Sequence, residues 1–384
     1  MPSCFALAGR AALLAAGAWF LFGCAPSPTS TAPINVAVGL QAEYAAPNAA
    51  YPYALSAAAD GRVFYTEKNT GQIRVIKDGA LLPDPFATVP VNFADDRGLL
   101  GIALHPKFQF NGRVYVFYTR SDTGQSTADP QAAVDHRIVY FSAQDNGDVA
   151  TSGETFVVSL PLGLDTQRIG GRLAFAPDGT LYVGFGDTTD QDAAQRVDLP
   201  WGKVLRYNDD GSIPADNPTA ASPVYALGFA DPRGLTFDPQ SGGGFVLDRS
   251  PSGTCEIDLL QPGGNYGWPP VVGFAESSDE LAFVAQTTGY VDPLYDSRGV
   301  ELAGLWFNPS SKYGPGPLLQ LFFGVRSAGE TWHIGLTTDR TVLVGQQALF
   351  AHQFPVPLTD VGFTPAGTLY VATGGAVLRV VPVN

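Results

Sequence analysis

Hydrophobic and polar positions along the chain repeat one pattern six times. Each copy has an apolar residue, usually a proline soon after it, a glycine, and then a run rich in β-branched or aromatic residues. Proline and glycine favour a tight turn and the run is typical of a strand, so each copy predicts two antiparallel strands joined by a turn. The copies lie at residues 55–65, 104–116, 175–183, 237–247, 307–323 and 363–371.

Six loosely spaced copies of one supersecondary unit predict an all-β, six-bladed β-propeller, with the longer insertions as loops on one face. A β-helix is the alternative, although its repeats are shorter and more regular. No run beyond the N-terminus keeps a sustained helical period. We expect residues 34–44 to pair with the last blade around residues 377–381 and so to close the ring.

Composition agrees with a well-buried, turn-rich β protein. Hydrophobic residues make up 45% of the chain and charged residues 15%, with 44 glycines and 31 prolines. These values exclude a disordered chain. A length of 384 residues would by itself suggest two or three domains, but a single propeller accounts for it.

The N-terminus has the features of an export signal. Arg10 is the one charge in residues 1–24, and the apolar run 11–22 suits a signal peptide but is shorter than the ~20 residues that span a bilayer. The sequence LFGC that ends at Cys24 resembles a bacterial lipobox. We therefore predict a lipoprotein signal over residues 1–24, a Pro/Ser/Thr-rich tether over 25–33, and the propeller over 34–384. An ordinary secretory signal is the alternative to lipidation.

This reading places the protein outside the cytoplasm, lipid-anchored to the bacterial cell envelope on its periplasmic or cell-surface face. The formal net charge is −14 and no basic cluster occurs, which argues against nucleic acid and against membrane contact except through the lipid. Cys255 would be the single cysteine of the folded body, so no internal disulfide is expected. The sequence gives no indication of an oligomeric state.

Chemical motifs alone do not identify a reaction. The four histidines are widely spaced and form no metal-ligand pattern, and no nucleophile elbow, phosphate loop or dinucleotide fingerprint occurs. Two acidic turns, residues 187–192 and 208–211, are rich in the oxygen ligands that calcium prefers. Acidic turns are more often simply solvated. The pattern alone therefore indicates an exported propeller with an unknown ligand.

Several longer motifs resemble the glucose/sorbosone dehydrogenase family, whose members use pyrroloquinoline quinone (PQQ). They include RGLLGIALHPKF at 97–108, GGRLAFAPDG at 170–179, GKVLR at 202–206, DPRGLTFDP at 231–239 and PGGNYGWP at 262–269. The resemblance is strongest over residues 51–270. It implies a six-bladed propeller with PQQ and a calcium ion over its axis. A histidine there takes the proton of the sugar's anomeric hydroxyl while hydride passes to the quinone.

The position of that catalytic histidine, two residues before the Gly-Gly pair, holds Arg168 in this chain. Arginine cannot accept a proton at neutral pH. Asp187 matches the acid that orients the family's base, so the resemblance assigns Arg168 and Asp187 to the catalytic positions. Arg249 replaces a further histidine of the family.

Positions that face the cofactor also depart from the family pattern. Ala230 and Asp231 stand where the family has Arg-Asn, and Pro357 and Thr359 replace two arginines that would hold PQQ carboxylates. Asp231 and Asp360 are the cofactor-binding positions that keep a polar side chain. PQQ carries three carboxylates, and each charge-assisted bond to them is worth roughly 1.5–3 kcal/mol, so these losses should weaken its binding by orders of magnitude.

Two calcium positions follow from the resemblance. Ser250 and Pro251 replace the Gly-Pro whose backbone carbonyls meet the calcium beside the cofactor, a change that carbonyls tolerate. Glu256 and Tyr266 match ligands of a second, structural calcium, through a carboxylate and a backbone carbonyl. Cys255 replaces an acid beside this second site. A loop salt bridge is the alternative role for Glu256.

The sequence therefore leaves two functions open. The first is a PQQ-dependent oxidoreductase that oxidises aldose sugars with several substituted positions. The second is a catalytically inactive propeller that binds a carbohydrate, another small ligand or a protein at its axial pocket. A shifted alignment would let His333, Arg326 or Arg340 reach the axis from another blade.

Overall fold

The computed structural model describes residues 34–143, 147–151 and 153–383. The predicted signal, Cys24 and the tether lie outside the described residues. No helix in the described part is long and apolar enough to cross a membrane. The strands are β1 (Asn35–Val36), β2 (Leu40–Pro47), β3 (Pro52–Ala57), β4 (Val63–Glu67), β5 (Gln72–Lys77), β6 (Ala80–Leu81), β7 (Ala87–Thr88), β8 (Leu99–Leu104), β9 (Arg113–Ser121), β10 (Ala133–Ser142), β11 (Thr155–Leu160), β12 (Gly170–Phe175), β13 (Leu181–Phe185), β14 (Lys203–Tyr207), β15 (Val224–Leu227), β16 (Pro232–Phe237), β17 (Gly244–Arg249), β18 (Cys255–Leu259), β19 (Tyr295–Asp296), β20 (Leu302–Phe307), β21 (Leu321–Val325), β22 (Glu330–Leu336), β23 (Leu343–His352), β24 (Leu358–Phe363), β25 (Leu369–Thr373) and β26 (Ala376–Pro382).

These strands form six antiparallel sheets, which confirms the six-bladed propeller. Blade 1 contains β3–β7, blade 2 β8–β11, blade 3 β12–β15, blade 4 β16–β19, blade 5 β20–β23 with β1, and blade 6 β24–β26 with β2. The first strand of each blade packs against the first strands of both neighbouring blades, so β3, β8, β12, β16, β20 and β24 form a ring around one axis. Each of the six sequence copies supplies the first two strands of one blade.

The ring is closed by pairing between the two ends of the described chain. β2 runs antiparallel to β26, with Gln41 opposite Val381 and Tyr44 opposite Leu378. The predicted closure is therefore confirmed for residues 40–44. The residues before them behave differently, because β1 pairs with β23 of blade 5.

Burial on both faces explains why the strand sequences are so apolar. All five residues of β4, β13, β14 and β25 are buried, since each blade is covered by its neighbours on both sides. Small residues permit close approach at the axis. A Cβ added to Gly101 of β8 would lie 2.1 Å from the backbone oxygen of Gly171 in β12, so a side chain cannot fit there.

The described residues form two short α-helices that the hydrophobic pattern did not indicate. α1 (Phe108–Asn111) lies in the turn of blade 2, and α2 (Ser278–Gln286) in the insertion of blade 4. α2 begins with a capping box between Ser277 and Glu280 and has no buried residue, so no face of it packs into the core. Two 3-10 turns, Pro130–Ala132 and Gln191–Gln195, complete the helical segments of the described chain.

Candidate functional site at the axial mouth

The segments that precede the first strands of the blades meet at one end of the axis. Asp96, just before β8, accepts a hydrogen bond from the backbone of Arg168 before β12 (2.9 Å). Asp231, just before β16, accepts one from the backbone of Gly170 (3.0 Å). We call this end the axial mouth and define it by Tyr51, Asp96, Arg168, Asp187, Asp231, Arg233, Arg249, Glu301 and Arg326.

At the position of the family's base, Arg168 is bound to a buried acid. Its Nε donates to Oδ1 of Asp187 at 2.7 Å, and Asp187 is fully buried. The indole of Trp268 donates to the other carboxylate oxygen (2.8 Å), and the backbone of Thr189 donates to Oδ1 (2.9 Å). Burial raises the pKa of Asp187 despite the opposing hydrogen bond from Arg168. The structure thus brings together the two residues that the resemblance places at the catalytic positions, but Arg168 offers no free proton acceptor there.

Asp231 is the centre of a second group of ion pairs. One carboxylate oxygen, Oδ2, accepts from Nε of Arg233 (2.7 Å) and from Nη2 of Arg249 (3.0 Å). Asp231 is fully buried, and its backbone N–H donates to the carboxylate of Asp248 (2.7 Å). The position predicted to bind a cofactor is therefore occupied by contacts within the protein.

Two partly exposed acids complete the network. Asp96 lies 3.1 Å from Nη2 of Arg233, and Glu301 lies 2.7 Å from Nη1 of Arg249 and 3.5 Å from Nε of Arg326. Burial would raise the pKa of Asp96, but Arg233, the backbone N–H of Arg168 and Arg249 together lower it. Asp96 is therefore held as a carboxylate among arginines.

Several residues with strained backbone lie at or next to the mouth. Tyr51, Arg168, Thr188 and Thr189 have φ values of 58°, 53°, 50° and 71°, in the left-handed region that residues other than glycine rarely adopt. Such conformations cost of order 1–3 kcal/mol each and are common at functional sites.

Below the mouth the axis is filled by the protein itself. Arg172 of β12 lies 2.8 Å from Asp360, which also accepts from the backbone of Leu55 (2.8 Å). Asp360, predicted to face a cofactor, thus joins three blades inside the channel wall. The cavity beside this pair is about 20 Å³. A separate cavity of about 320 Å³ lies at the opposite end of the axis, where apolar residues such as Phe175 and Trp306 line it.

The remaining cofactor positions do not form a PQQ site. Ala230 offers only a buried methyl group, and Thr359 donates to the backbone oxygen of Pro52 (2.8 Å). Ser250 and Pro251 form the turn between β17 and β18, where the Ser250 backbone donates to Thr254 (2.9 Å). Every arginine that lines the mouth already binds an acid, so three further carboxylates would find no cation there whose charge is not already compensated. The residues present do not fit PQQ.

A second site candidate lies in blade 4. Asp248 and Glu256 face each other across β17 and β18, and Asp258 follows on the same side of β18. Both carboxylate oxygens of Asp258 are buried without a hydrogen-bond partner in the described structure. Glu256 accepts a short hydrogen bond from the backbone of Gly273. Burial, together with the neighbouring acids, raises the pKa of Asp248, Glu256 and Asp258.

This donor chemistry fits a hard cation such as calcium. Buried carboxylates without partners are costly, and a cation would compensate them. The described residues contain no group of three His, Cys, Asp or Glu side chains that already converge as metal ligands. Tyr266 bonds through its phenol to the backbone of Leu259 (2.7 Å), which leaves the predicted carbonyl role as a prediction. Asp258 was not among the predicted site residues, although the alternation in CEIDL puts it on the same face of the strand as Glu256.

Of the three residues that a shifted alignment could bring to the axis, only Arg326 lies at the mouth. Arg326 follows β21, pairs with Glu301 and donates to the hydroxyl of Tyr51 (3.2 Å). Arg340 instead binds Asp238 at 2.9 Å, and His333 bonds to Gln320 within blade 5. In the acidic turn 208–211, which was considered as a calcium site, Asp209 pairs with Arg113 at 3.2 Å.

The chain belongs to the glucose/sorbosone dehydrogenase family, whose model matches residues 49–379, and this family is one of PQQ-type sugar oxidoreductases. The chain is 34% identical over 254 residues to quinoprotein glucose dehydrogenase B of Acinetobacter calcoaceticus, covering 59% of this chain and 52% of that protein. It is 29% identical over 349 residues to aldose sugar dehydrogenase YliI of Escherichia coli, covering 87% and 91%.

A further sequence relative and a solved structure are also similar to this chain. The chain is 31% identical over 278 residues to the protein slr1608 of Synechocystis, covering 64% of this chain and 63% of that one. The chain thus spans 63% and 52% of the length of the Synechocystis and Acinetobacter relatives. The crystal structure of a soluble aldose sugar dehydrogenase from Escherichia coli superposes with a TM-score of 0.74 at 24% identity, covering 90% of this chain and all of that one.

Proposed function

We propose that the protein binds a sugar at the axial mouth and does not oxidise it by the family's route, in which a histidine takes the proton and PQQ the hydride. Membership in a family of sugar oxidoreductases supports the ligand class. The main observation in favour of the proposal is the ion pair between Arg168 and Asp187, whose atoms Nε and Oδ1 lie 2.7 Å apart. General-base chemistry needs a group that accepts a proton near the working pH, and a paired guanidinium cannot do so.

The mouth has the side chains that sugar binding requires. Arginines held by acids present N–H groups in fixed directions, and sugar hydroxyls both donate and accept hydrogen bonds. The side-chain hydrogen bond of Arg168 uses Nε, which leaves its terminal nitrogens for a ligand. Asp96 and Glu301 keep 29% and 31% of their side chains exposed and can accept from hydroxyls. Tyr51 offers a half-buried ring beside them.

PQQ-dependent aldose oxidation is the second candidate, and membership in the family favours it. It would require a base other than Arg168 and another way to hold the cofactor's carboxylates. One experiment decides between the two candidates. The full-length protein is titrated with PQQ and Ca²⁺, dye reduction is followed with a panel of aldoses, and sugar binding is measured separately by ligand-observed NMR.

We expect sugar binding without dye reduction, and weaker sugar binding in Arg168→Gln. Arg196→Gln is the matched control, because Arg196 pairs with Asp198 on the exposed surface. Saturable PQQ binding with sugar-dependent dye reduction would instead establish the second candidate. Absence of binding for every sugar in the panel would overturn the first.

We also propose that blade 4 binds a structural calcium ion through Glu256 and the backbone carbonyl of Tyr266. Asp258 supports this site as a further carboxylate, because its oxygens have no partner in the described structure. Calorimetric titration of the metal-free protein with Ca²⁺ tests the site. One saturable site that Glu256→Gln removes is the expected result, and heat equal to the dilution blank would exclude it.

We propose further that the protein is exported and lipidated on Cys24, as the lipobox-like sequence suggests. Fatty-acid labelling in a bacterial host tests this directly. Label in the wild type and its loss in Cys24→Ser are expected. Equal labelling of both proteins would contradict it.

A further inference from the structure

We propose that Asp96, Asp231 and Glu301 are internal counter-ions that keep carboxylate ligands, PQQ included, out of the axial mouth. Three carboxylates of the protein hold the arginines that would otherwise bind three carboxylates of a ligand. This proposal shares with the proposed function only the premise that the mouth is a ligand site. It does not require a sugar to bind there.

The innermost counter-ion is Asp231. It binds Arg233 at 2.7 Å and Arg249 at 3.0 Å and is fully buried. It also accepts from the backbone of Gly170 at 3.0 Å, so the backbone of blade 3 holds it in place. An incoming anion cannot displace this carboxylate without opening the contact between blades 3 and 4.

The outer counter-ions face the opening. Asp96 lies 3.1 Å from Arg233, and Glu301 lies 2.7 Å from Arg249, with about 30% of each acidic side chain exposed. These two acids are therefore the groups that a ligand meets first. They repel a carboxylate directly and already use the arginine groups that would attract it.

The charges of the mouth balance. Arg168, Arg233, Arg249 and Arg326 are matched by Asp96, Asp187, Asp231 and Glu301. The charged groups that border them, Lys68 and Arg97 against Asp95 and Asp165, add two of each sign. A carboxylate would therefore lose its hydration on entry and gain no free cation in return.

The proposal predicts that removing an acid creates an anion site. In Glu301→Gln the amide keeps the shape of the side chain while Arg249 and Arg326 lose their shared counter-ion. Citrate and PQQ, both tricarboxylates, should then bind about tenfold more tightly for each acid that is removed, in keeping with the strength of charge-assisted hydrogen bonds. Asp96→Asn combined with Glu301→Gln should bind most tightly.

Isothermal titration of the full-length protein with citrate, and then with PQQ, measures this effect. Glu276→Gln is the matched control, because Glu276 pairs with Arg298 on the exposed surface. Glu301→Asp keeps the charge and should keep the exclusion. The gained affinity should fall as salt is raised, since it is electrostatic, whereas a purely structural effect of the substitution would not respond to salt.

Tight citrate or PQQ binding by the wild type would overturn the proposal, whether or not sugars bind. So would the absence of any gain in acid-removed variants that melt like the wild type. Failure of sugar binding alone would overturn the proposed function and leave this proposal standing, so the two failures are distinguishable.

Discussion

Nε of Arg168 lies 2.7 Å from Oδ1 of Asp187, a carboxylate that has no exposure to solvent. The pair links the segment before the first strand of blade 3 to the loop after its second strand. Each of the two charges therefore stabilises the other, because an unpaired buried charge destabilises the folded protein far more than a buried pair does.

Arg168→Met should lower the free energy of unfolding by about 3 kcal/mol, because it leaves Asp187 buried and unpaired. Adding Asp187→Asn should restore at least half of this loss. Urea unfolding of the single and double variants measures both effects. Arg196→Met, which removes an exposed pair, should unfold like the wild type. Equal loss in the single and double variants would contradict the coupling.

Removal of the closing strand should destabilise the whole propeller. Deletion of residues 34–47 exposes the β26 edge and the buried positions of Ala45 and Ala46, so the melting temperature should fall by at least about 10 °C. Deletion of residues 34–38 removes β1 alone and should cost much less. Calorimetry compares the two. A similar fall in both would show that the pairing of β2 with β26 is not the main closure.

Calcium should stabilise the protein through the acids of blade 4. Adding Ca²⁺ should raise the melting temperature, since a ligand that binds only the folded state stabilises it. Asp258→Asn should weaken this response and should melt above the wild type in chelator, because it removes an unpartnered buried carboxylate. Asp198→Asn, on the exposed surface, is the control. A lower melting temperature of Asp258→Asn in chelator would contradict the assignment.

Lys68, beside the mouth, should make stability depend on pH in the alkaline range. Burial lowers its pKa to about 8, a shift that Asp96 opposes. The folded pKa lies below the unfolded value, so the unfolded state binds more protons above pH 8 and the penalty for charged Lys68 disappears as pH rises. From pH 7 to 9.5 the wild type should gain roughly 1–2 kcal/mol relative to Lys68→Met.

Chemical unfolding at both pH values tests this sign. Lys107→Met is the control, because Lys107 is exposed. A wild type that loses stability relative to Lys68→Met at the higher pH would show the opposite linkage.

The blades could be predicted from the sequence because their turns are local. Pro177 and Gly179, for example, fix one turn within a few residues of the strands they join. The helix α2 was missed because its signal is a capping box, Ser277 with Glu280, and not an apolar stripe. A capping box can be recognised in a sequence, but without a sustained hydrophobic period it is not enough to predict a helix.

The site was only partly predictable. Resemblance placed Arg168 beside Asp187, and the structure brings them together. The pairing of Arg249 with Glu301 could not be read from the sequence, because the two residues come from different blades and meet only when blades 4 and 5 pack together. In the sequence, Ala230, Pro357 and Thr359 look like lost cations. In the structure, arginines from other positions lie at the mouth, and each of them is paired with an acidic side chain.

The Arg172–Asp360 pair has a consequence for how the mouth exchanges its contents. Because that pair and the residues packed around it block the axis, the channel is closed below the mouth and does not run through the propeller. Whatever enters the mouth must leave through the same opening. The residence time of a ligand in the mouth would therefore depend on Asp96 and Glu301, the exposed acids at the opening. The apolar cavity at the other end of the axis would bind ligands independently of the mouth.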